Sequence, residues 1–369
     1  KIKIDDNEQE FTLETTDEEA ILYEIASRLG VTVEEIIDFV EFEVEEIEPE
    51  FEGKIVRIES KETEKEEKED EEEDIKVFSS GVDVSAAIKL NVRIYKEIGS
   101  LRDKISKLKS KIIRRDTNAY VVPRNNERST LANAFEQILK SDASKSASIA
   151  SNVKYKVTEF TDNSLQQKFY ILEENSSINR GWGSYIVSTL PSCLVIDIPH
   201  PLFDVNTPEV GTEAFIVVKA STFLMAGAHR YANANEVADV SAENNDKTAY
   251  YEIYKKISKD KHILQLHGFS RQNHLGYPDI VLSAGDGSLP SIIQTFKTNL
   301  ETEGFSVGIY DGNNWTDLGG TKNVLGKYIR GKGGIWIHAE LERFIRDDKA
   351  QYTKFANAVK KTWCYCSSC

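Results

Sequence analysis

The sequence predicts an α/β protein with a mostly parallel sheet flanked by helices. Two observations predict this class. Short apolar runs of strand length alternate with longer helical patterns in the second half of the chain, as in βαβ units. Three of these runs lead to a histidine at their carboxyl end, and a fourth carries the pair His338 and Glu340. Because open α/β sheets bind ligands at the carboxyl ends of their strands, these residues predict a site at one edge.

The elements of this sheet are predicted in order along the chain. Residues 155–172 alternate in strand fashion, and we predict further strands at 186–187, 194–198, 215–225, 263–269, 279–283, 305–310 and 334–342. Helices are predicted at 248–257, 291–303 and 347–361. In the last strand, alternation puts His338, Glu340 and Glu342 on one face, and this polar face needs partners if it is buried.

Charge divides the chain unevenly. Its 369 residues carry a net charge of −15, and residues 1–74 hold 30 acidic and 8 basic side chains, which leaves a net charge of +7 for the rest. The acidity therefore belongs to the N-terminal segment and argues against a nucleic-acid partner. No apolar run reaches the roughly 18 residues of a membrane helix, so we expect a soluble protein without a membrane partner.

Four segments follow from these patterns. Residues 1–60 predict a small acidic helical module, with helices at 17–30 and 33–39, that could contact a protein partner. Residues 61–80 form a charged linker, 81–150 a helical segment, and 151–369 the α/β domain. A heptad seam marks the helical segment at Ile94, Ile98, Leu101, Ile105, Leu108 and Ile112. It predicts either a coiled coil with another chain or, as we favour, one long basic helix packed on the body.

The cysteines leave the compartment open. They are Cys193 and three in the tail, Cys364, Cys366 and Cys369. We expect a flexible tail without a catalytic role, with a disulfide knot, a partial metal site or a redox-sensitive end as alternatives. No signal peptide is visible, so the sequence is compatible with either a cytoplasmic or a secreted protein.

The stretch from Cys193 to Asp204 predicts the chemistry. Its apolar run from Leu194 to Ile198 stops at Pro199-His200-Pro201, where proline ends a central strand. Asp204 follows His200 by four residues, and a histidine beside a carboxylate at a strand end indicates a metal site. A lone histidine in this position is more often structural, so the hypothesis depends on His267 and Glu340 meeting it at the same edge.

Four short motifs resemble those of the N-formylglutamate amidohydrolase group and, behind it, the wider set of zinc carboxypeptidase-like hydrolases. They are Pro-His-Pro-Leu-Phe-Asp-Val-Asn-Thr, Ala-Gly-Ala-His-Arg, Leu-His-Gly-Phe and His-Ala-Glu-Leu-Glu-Arg, and the likeness covers roughly residues 170–360. The resemblance implies a phosphorylase/hydrolase-like α/β fold and one zinc ion bound by His200, His267 and a carboxylate. In the wider set that carboxylate is a glutamate three residues after the first histidine. Phe203 occupies this position here, so Asp204 is the nearest candidate and Glu209 the alternative.

The same resemblance implies roles for five further residues. Glu340 matches the catalytic glutamate and would act as general base. Arg230 would steady the developing oxyanion or bind a substrate carboxylate, although a structural ion pair with Asp239 is equally compatible. His229 and Asp239 are candidate pocket residues. Asn323 is a further candidate for the pocket, but a turn is the role that we favour for it.

Two functions from different classes follow. The first is a zinc-dependent hydrolase that cleaves an amide or peptide-type bond next to a free carboxylate in a small molecule or peptide. The second is a metal-free, hydrolase-like interaction or assembly protein, which the exchange of glutamate for Phe203 favours. Zinc content distinguishes the two.

Overall fold

The computed structural model describes residues 94–175 and 177–366, together with the backbone of residues 2–3, 43–45 and 55–57. The chain divides into two compact units, 1–92 and 93–369. In the first unit the described strands are β1 (Ile2–Lys3), β2 (Glu43–Glu45) and β3 (Ile55–Arg57). The strand β3 pairs with β1 in parallel and with β2 antiparallel. The two helices predicted in this unit lie outside the described residues.

The second unit is built on a ten-stranded mixed sheet. Its strands are β4 (Tyr95–Gly99), β5 (Tyr155–Asp162), β6 (Gln167–Glu174), β7 (Ser184–Ser188), β8 (Leu194–Ile198), β9 (Thr222–Met225), β10 (His262–Phe269), β11 (Ile280–Ser283), β12 (Val307–Ile309) and β13 (Ile335–Glu342). Their order is β12-β11-β13-β10-β8-β9-β7-β6-β5-β4. The central strands β13, β10, β8 and β9 run parallel to one another. The predicted fold class is therefore confirmed.

Helices cover both faces of this sheet. They are α1 (Leu101–Ser110), α2 (Asn125–Leu139), α3 (Ala143–Ser151), α4 (Thr207–Val218), α5 (Ala249–Tyr254), α6 (Ser291–Thr302), α7 (Val324–Gly331), α8 (Arg343–Asp347) and α9 (Lys349–Trp363). On one face, α1, α4, α6 and α9 enclose the main apolar core with the strands. On the other face, α5 and the start of α7 cover buried polar side chains. None of the helices described is long and apolar enough to cross a bilayer.

The predicted strand over 215–225 is wrong in its first part. Residues 207–218 form helix α4, and the strand β9 begins only at Thr222. Pro208 lies in the first turn of the helix, where its missing N–H is not needed. Because α4 is buried almost all round, its sequence lacks the polar stripe that marks a surface helix, and a short apolar run is compatible with either structure.

The predicted long helix with a heptad seam is also wrong in its extent. Residues 95–99 form the edge strand β4, and Ile98 is 77% exposed there. Of the seam residues, Leu101, Ile105 and Leu108 lie in helix α1, where they are buried in the main core. Since β4 pairs with β5, the segment predicted as separate from the α/β domain contributes a strand to the same sheet.

The tail is tied to the sheet. A disulfide joins Cys366 to Cys193, with 5.5 Å between the Cα atoms, and the backbone N–H of Cys193 donates to the carbonyl of Cys366. The chain end is thus anchored at the amino end of β8, the strand that leads to His200. The expectation of a flexible tail is therefore wrong as far as residue 366, because the disulfide fixes this part of the chain.

Candidate metal centre

Three neighbouring strands bring the predicted site residues to one edge. The strands β8, β10 and β13 run in parallel, so their carboxyl ends meet on the same side of the sheet. His200 lies two residues beyond the end of β8, and His267 lies near the carboxyl end of β10. The strand order therefore places His200 and His267 close together, although they are far apart in the sequence.

A tight turn returns Asp204 to His200. The backbone N–H of Asp204 donates to the carbonyl of His200 at 2.9 Å, and the prolines on either side of His200 keep this segment out of the sheet. Asp204 Oδ2 lies 3.2 Å from His200 Nδ1 and 2.9 Å from His267 Nδ1. The two imidazole rings are 4.8 Å apart between centroids. All three side chains are buried, and their ligand atoms lie within 4.8 Å of one another, so together they could hold a metal ion.

The far side of the His200 ring is fixed by a carboxylate. His200 Nε2 lies 2.8 Å from Asp239 Oδ1 and 3.0 Å from the hydroxyl of Ser241. A carboxylate only accepts, so Nε2 carries a proton and Nδ1 is the atom turned toward Asp204. Asp239 Oδ2 in turn forms an ion pair with Arg230 Nη2 at 2.5 Å. The predicted residue Asp239 thus contacts a candidate ligand, and the ion pair between Arg230 and Asp239 is the alternative that the sequence left open.

The charges at this edge shift two histidines in opposite directions. Burial alone would lower the pKa of His200, but the carboxylates of Asp239 and Asp204 outweigh it and raise the pKa to about 9. Burial, with the nearby His338, lowers the pKa of His267 to about 4. Burial opposes ionisation of Asp204, yet its contacts with the two imidazoles hold the pKa of this carboxyl well below its usual range. Without a metal at neutral pH, His200 is charged and His267 is neutral.

Glu340 lies on the strand next to His267. The register pairs the two residues directly between β10 and β13, and neighbouring strands are about 4.8 Å apart. Glu340 Oε1 contacts His338 Nε2 at 3.1 Å, and the His338 ring lies 4.4 Å from the ring of His267. The predicted alternation of β13 is confirmed, since Ile337 and Ala339 point into the apolar core on the other face.

Other predicted residues lie elsewhere. Glu209 is in the first turn of α4 and pairs with Lys109 at 2.6 Å, so it is not next to the two histidines. Asn323 is buried, caps α7 and donates to Gln265 at 2.7 Å. Its backbone N–H also donates to the carbonyl of Gly320 at 3.2 Å, so Asn323 closes a turn, which is the role that we favoured for it.

Aromatic and basic side chains form a cluster next to His200, whose ring lies 6.2 Å from that of Phe203. Phe203 is 42% exposed, and its ring lies 5.7 Å from that of His229 and 5.5 Å from that of Tyr231. The guanidinium of Arg230 lies over Phe203 at 5.1 Å, and that of Arg115 over Tyr231 at 5.5 Å. Phe203 is therefore part of this cluster, together with the predicted pocket residue His229.

One buried cation at this edge was missed by the sequence analysis. Arg346 donates to three backbone carbonyls, those of Val205, Phe269 and Leu341, and so ties the loop after β8 to the ends of β10 and β13. Gly268 leaves the space for it, because a Cβ there would lie 2.3 Å from Arg346 Cζ. Its only signal in the sequence is a glycine after His267, which does not identify the arginine.

Comparisons with known proteins were made against family models, curated proteins and solved structures. No family model matches the chain, and no curated protein matches it. Among solved structures it is similar to a bacteriophage poly-gamma-glutamate hydrolase, with 13% identity over 48% of this chain and 86% of that chain at a TM-score of 0.36. It is also similar to N-formylglutamate amidohydrolase from Ralstonia eutropha JMP134, with 16% identity over 48% of this chain and 93% of that chain at a TM-score of 0.32. The second protein bears the name of the group that the sequence motifs resemble. At these TM-scores the likeness carries no argument about function, which must come from the site itself.

Proposed function

We propose that this protein is a zinc-dependent hydrolase that cleaves an amide or peptide-type bond next to a free carboxylate. The observation that carries the proposal is the meeting of His200, Asp204 and His267. Both imidazoles turn Nδ1 toward one carboxylate oxygen, Asp204 Oδ2, while both Nε2 atoms face other acceptors. A cation between the Nδ1 atoms and Asp204 satisfies all three groups at once.

The donor set fits zinc. Two imidazole nitrogens and one carboxylate oxygen are the ligand types of catalytic zinc sites, which keep a further position open. Burial of the three side chains and the fixed far side of His200 favour a preformed site over an accidental cluster. A zinc ion held there supplies Lewis acidity, which polarises a carbonyl and acidifies a water molecule.

Glu340 is proposed as the general base. It lies beside His267 on the neighbouring strand, and its contact with His338 holds the carboxylate at the same edge. In this role Glu340 takes a proton from the attacking water and passes it to the leaving amine nitrogen.

The basic side chains next to His200 favour binding of an anionic substrate. Arg230 uses one nitrogen on Asp239, and a guanidinium offers five N–H donors, which leaves donors for a carboxylate. Arg115, which also pairs with Asp116 at 3.1 Å, adds a second positive charge over the Tyr231 ring. Small molecules or peptides in which a carboxylate adjoins the scissile amide fit these groups, and N-acyl amino acids and γ-glutamyl peptides are the classes to assay.

The test is Glu340→Gln in the zinc-loaded protein. Loss of the base is expected to lower kcat on the best substrate of the panel by about 10²–10⁴-fold, while the zinc content stays unchanged. Glu342→Gln is the matched control, because Glu342 lies two residues further on the same strand and only accepts from the backbone N–H of Phe344. Equal activity of both variants, or no hydrolysis of any panel member by the zinc-loaded wild type, contradicts the proposal.

A further inference from the structure

A cavity lies at the amino edge of the sheet, opposite the edge that carries His200 and His267. It has a volume of about 470 Å³ and is lined by the end of β7, the starts of β8 and β9, the end of α2 and the loop between α5 and β10. Cavities of about 300–1,000 Å³ are typical of small-molecule sites. The five residues of β8 span about 16 Å between this cavity and the candidate metal centre, so the proposed hydrolysis does not use it.

Positive charge predominates in the lining of this cavity. Three lysines, Lys140, Lys256 and Lys261, line it together with one carboxylate, that of Glu136, so the lining carries a net charge of +2. Glu136 pairs with Lys140 and with Lys256, at 2.6 Å in each case. Lys261 differs from the other two lysines. Its Nζ donates to the backbone carbonyl of Ser192, and no carboxylate in residues 94–175 and 177–366 lies within 4.0 Å of it.

The charge of Lys261 is poorly compensated by the protein. The residue is half-buried, and burial lowers the pKa of its ammonium group although the neighbouring Asp260 opposes this shift. An ammonium group has three N–H donors, so two remain after the bond to the Ser192 carbonyl. Lys261 therefore offers two donors and a positive charge to an anion that enters the cavity.

Two buried hydroxyls in the same lining add further donors. Ser188 is 8% exposed and Ser192 is 4% exposed. The Ser188 oxygen accepts from Gln167 Nε2 at 2.8 Å and from the backbone N–H of Leu190 at 3.0 Å. The Ser192 oxygen accepts from the backbone N–H of Leu194 at 3.2 Å. Within the part of the chain that the structure describes, neither hydroxyl donates a hydrogen bond, so the proton of each is available to a ligand.

We propose that this cavity binds the dianionic phosphate group of a small molecule through Lys261, Ser188 and Ser192. All three side chains have donors to offer, and a phosphate group presents three strong acceptor oxygens. At neutral pH it carries nearly two negative charges, which match the net charge of the lining, whereas a carboxylate carries only one. Apolar side chains such as Leu139 and Val187 also line the cavity and provide a surface for an uncharged body attached to the phosphate.

Calorimetric titration of the full chain with phenyl phosphate tests this proposal. The wild type is expected to bind phenyl phosphate, and Lys261→Met to bind it about 10–100-fold more weakly, because a hydrogen bond between two charged groups is lost. The matched control is Lys297→Met, which should bind as the wild type does. Lys297 also donates to a backbone carbonyl, that of Val307, but it lies on α6 and pairs with Glu301. No binding by the wild type, or equal binding by Lys261→Met, would overturn the proposal.

Benzoate tests the class of the anion, since it has the same ring as phenyl phosphate but a single negative charge. The wild type is expected to bind benzoate about tenfold more weakly, because one charge interacts less strongly with the lysines of the cavity. Benzoate bound as tightly as phenyl phosphate would contradict the assignment to phosphate. Inorganic phosphate distinguishes the two sources of the group: weaker binding than that of phenyl phosphate assigns the site to a phosphate ester, and equal binding assigns it to the free ion.

A second variant covers the case in which Lys261→Met fails to fold. Ser192→Ala keeps the charge of the lining and removes one hydroxyl donor, so it should weaken the binding of phenyl phosphate about 3–10-fold. Wild-type affinity in Ser192→Ala would also overturn the proposal. The double variant His200→Ala with His267→Ala shows whether the phosphate binds at the other edge of the sheet. Its affinity for phenyl phosphate should equal that of the wild type, and a loss of binding would place the phosphate at the candidate metal centre instead.

Discussion

The two faces of the strands β8, β10 and β13 are both buried but differ in chemistry. On one face, Ile196, Leu266 and Ala339 pack with the apolar helices of the main core. On the other, Asp197, Gln265 and His338 form a polar row under α5 and α7. The same backbone therefore separates two tasks. The apolar face stabilises the fold by burying hydrophobic surface. The polar face orients its side chains, because each of its hydrogen bonds fixes a neighbouring side chain.

The largest effect on the apolar side is expected from Phe296→Ala. Phe296 is completely buried in α6, and its removal leaves a cavity that costs about 3–5 kcal/mol of the free energy of unfolding. Zinc affinity should stay within about twofold, since this ring packs against those of Phe355 and Trp363 in the apolar core. Denaturant unfolding and zinc titration measure the two quantities. The exposed Ile98 provides the control, because Ile98→Ala should change stability by less than about 0.5 kcal/mol. A parallel loss of stability and zinc affinity in Phe296→Ala would show that the faces are not independent.

Gly268 follows the candidate ligand His267 on strand β10 and lies against the side chain of Arg346. Gly268→Ala places a Cβ against the guanidinium of Arg346, and overpacking of this kind costs about 1–3 kcal/mol. Thermal unfolding checks this prediction. The matched control is Gly331→Ala at the end of α7, where a Cβ meets nothing within 4 Å and the helix should gain about 0.5–1 kcal/mol. A Gly268→Ala protein as stable as the wild type would mean that Arg346 is not held as described.

The number of protons released when zinc binds tests the charges assigned to His200 and His267. His200 has a pKa raised to about 9, so at pH 7 it is protonated without metal, whereas His267, with a pKa of about 4, is neutral. Zinc binding at pH 7 should therefore release about one proton, and affinity should rise up to about tenfold per pH unit until pH 9. In the metal-free protein the stability contributed by His200 is complete below its usual pKa of 6.5 and is lost as the pH rises through 9.

Calorimetry in buffers of different ionisation enthalpy counts this proton. Asp239→Asn removes the carboxylate that most raises the pKa of His200, so the number released should fall. Release of two protons, or of none, contradicts the assignment of charges at this edge.

Much of the fold and part of the site could be predicted from sequence. The strands β8, β10 and β13 were predicted because short apolar runs of this length occur between helical patterns. The grouping of His200 and His267 was predicted because parallel strands share one carboxyl edge. The contact of Asp204 with both rings follows the predicted candidate, although whether these residues bind metal stays a prediction.

The missed features share a physical cause. Asp197 and Gln265 stand out as polar residues inside apolar strands, so their burial could have been inferred. Their partners could not, because Tyr250 and Asn323 come from separate helices whose packing the alternation does not encode. Residues 215–218, the end of helix α4, were predicted as strand because uniform burial removes the polar stripe on which helix prediction depends.

The central claim is that His200, Asp204 and His267 bind one zinc ion. Its most direct test is zinc per chain after reconstitution and removal of free metal, measured by elemental analysis on the wild type, Asp204→Ala, the double variant His200→Ala with His267→Ala, and the control Glu209→Ala. The account predicts about one zinc in the wild type and in Glu209→Ala, and none in the other two. Zinc absent from the wild type, or retained by the histidine double variant, would contradict it and leave a metal-free interaction protein as the remaining hypothesis.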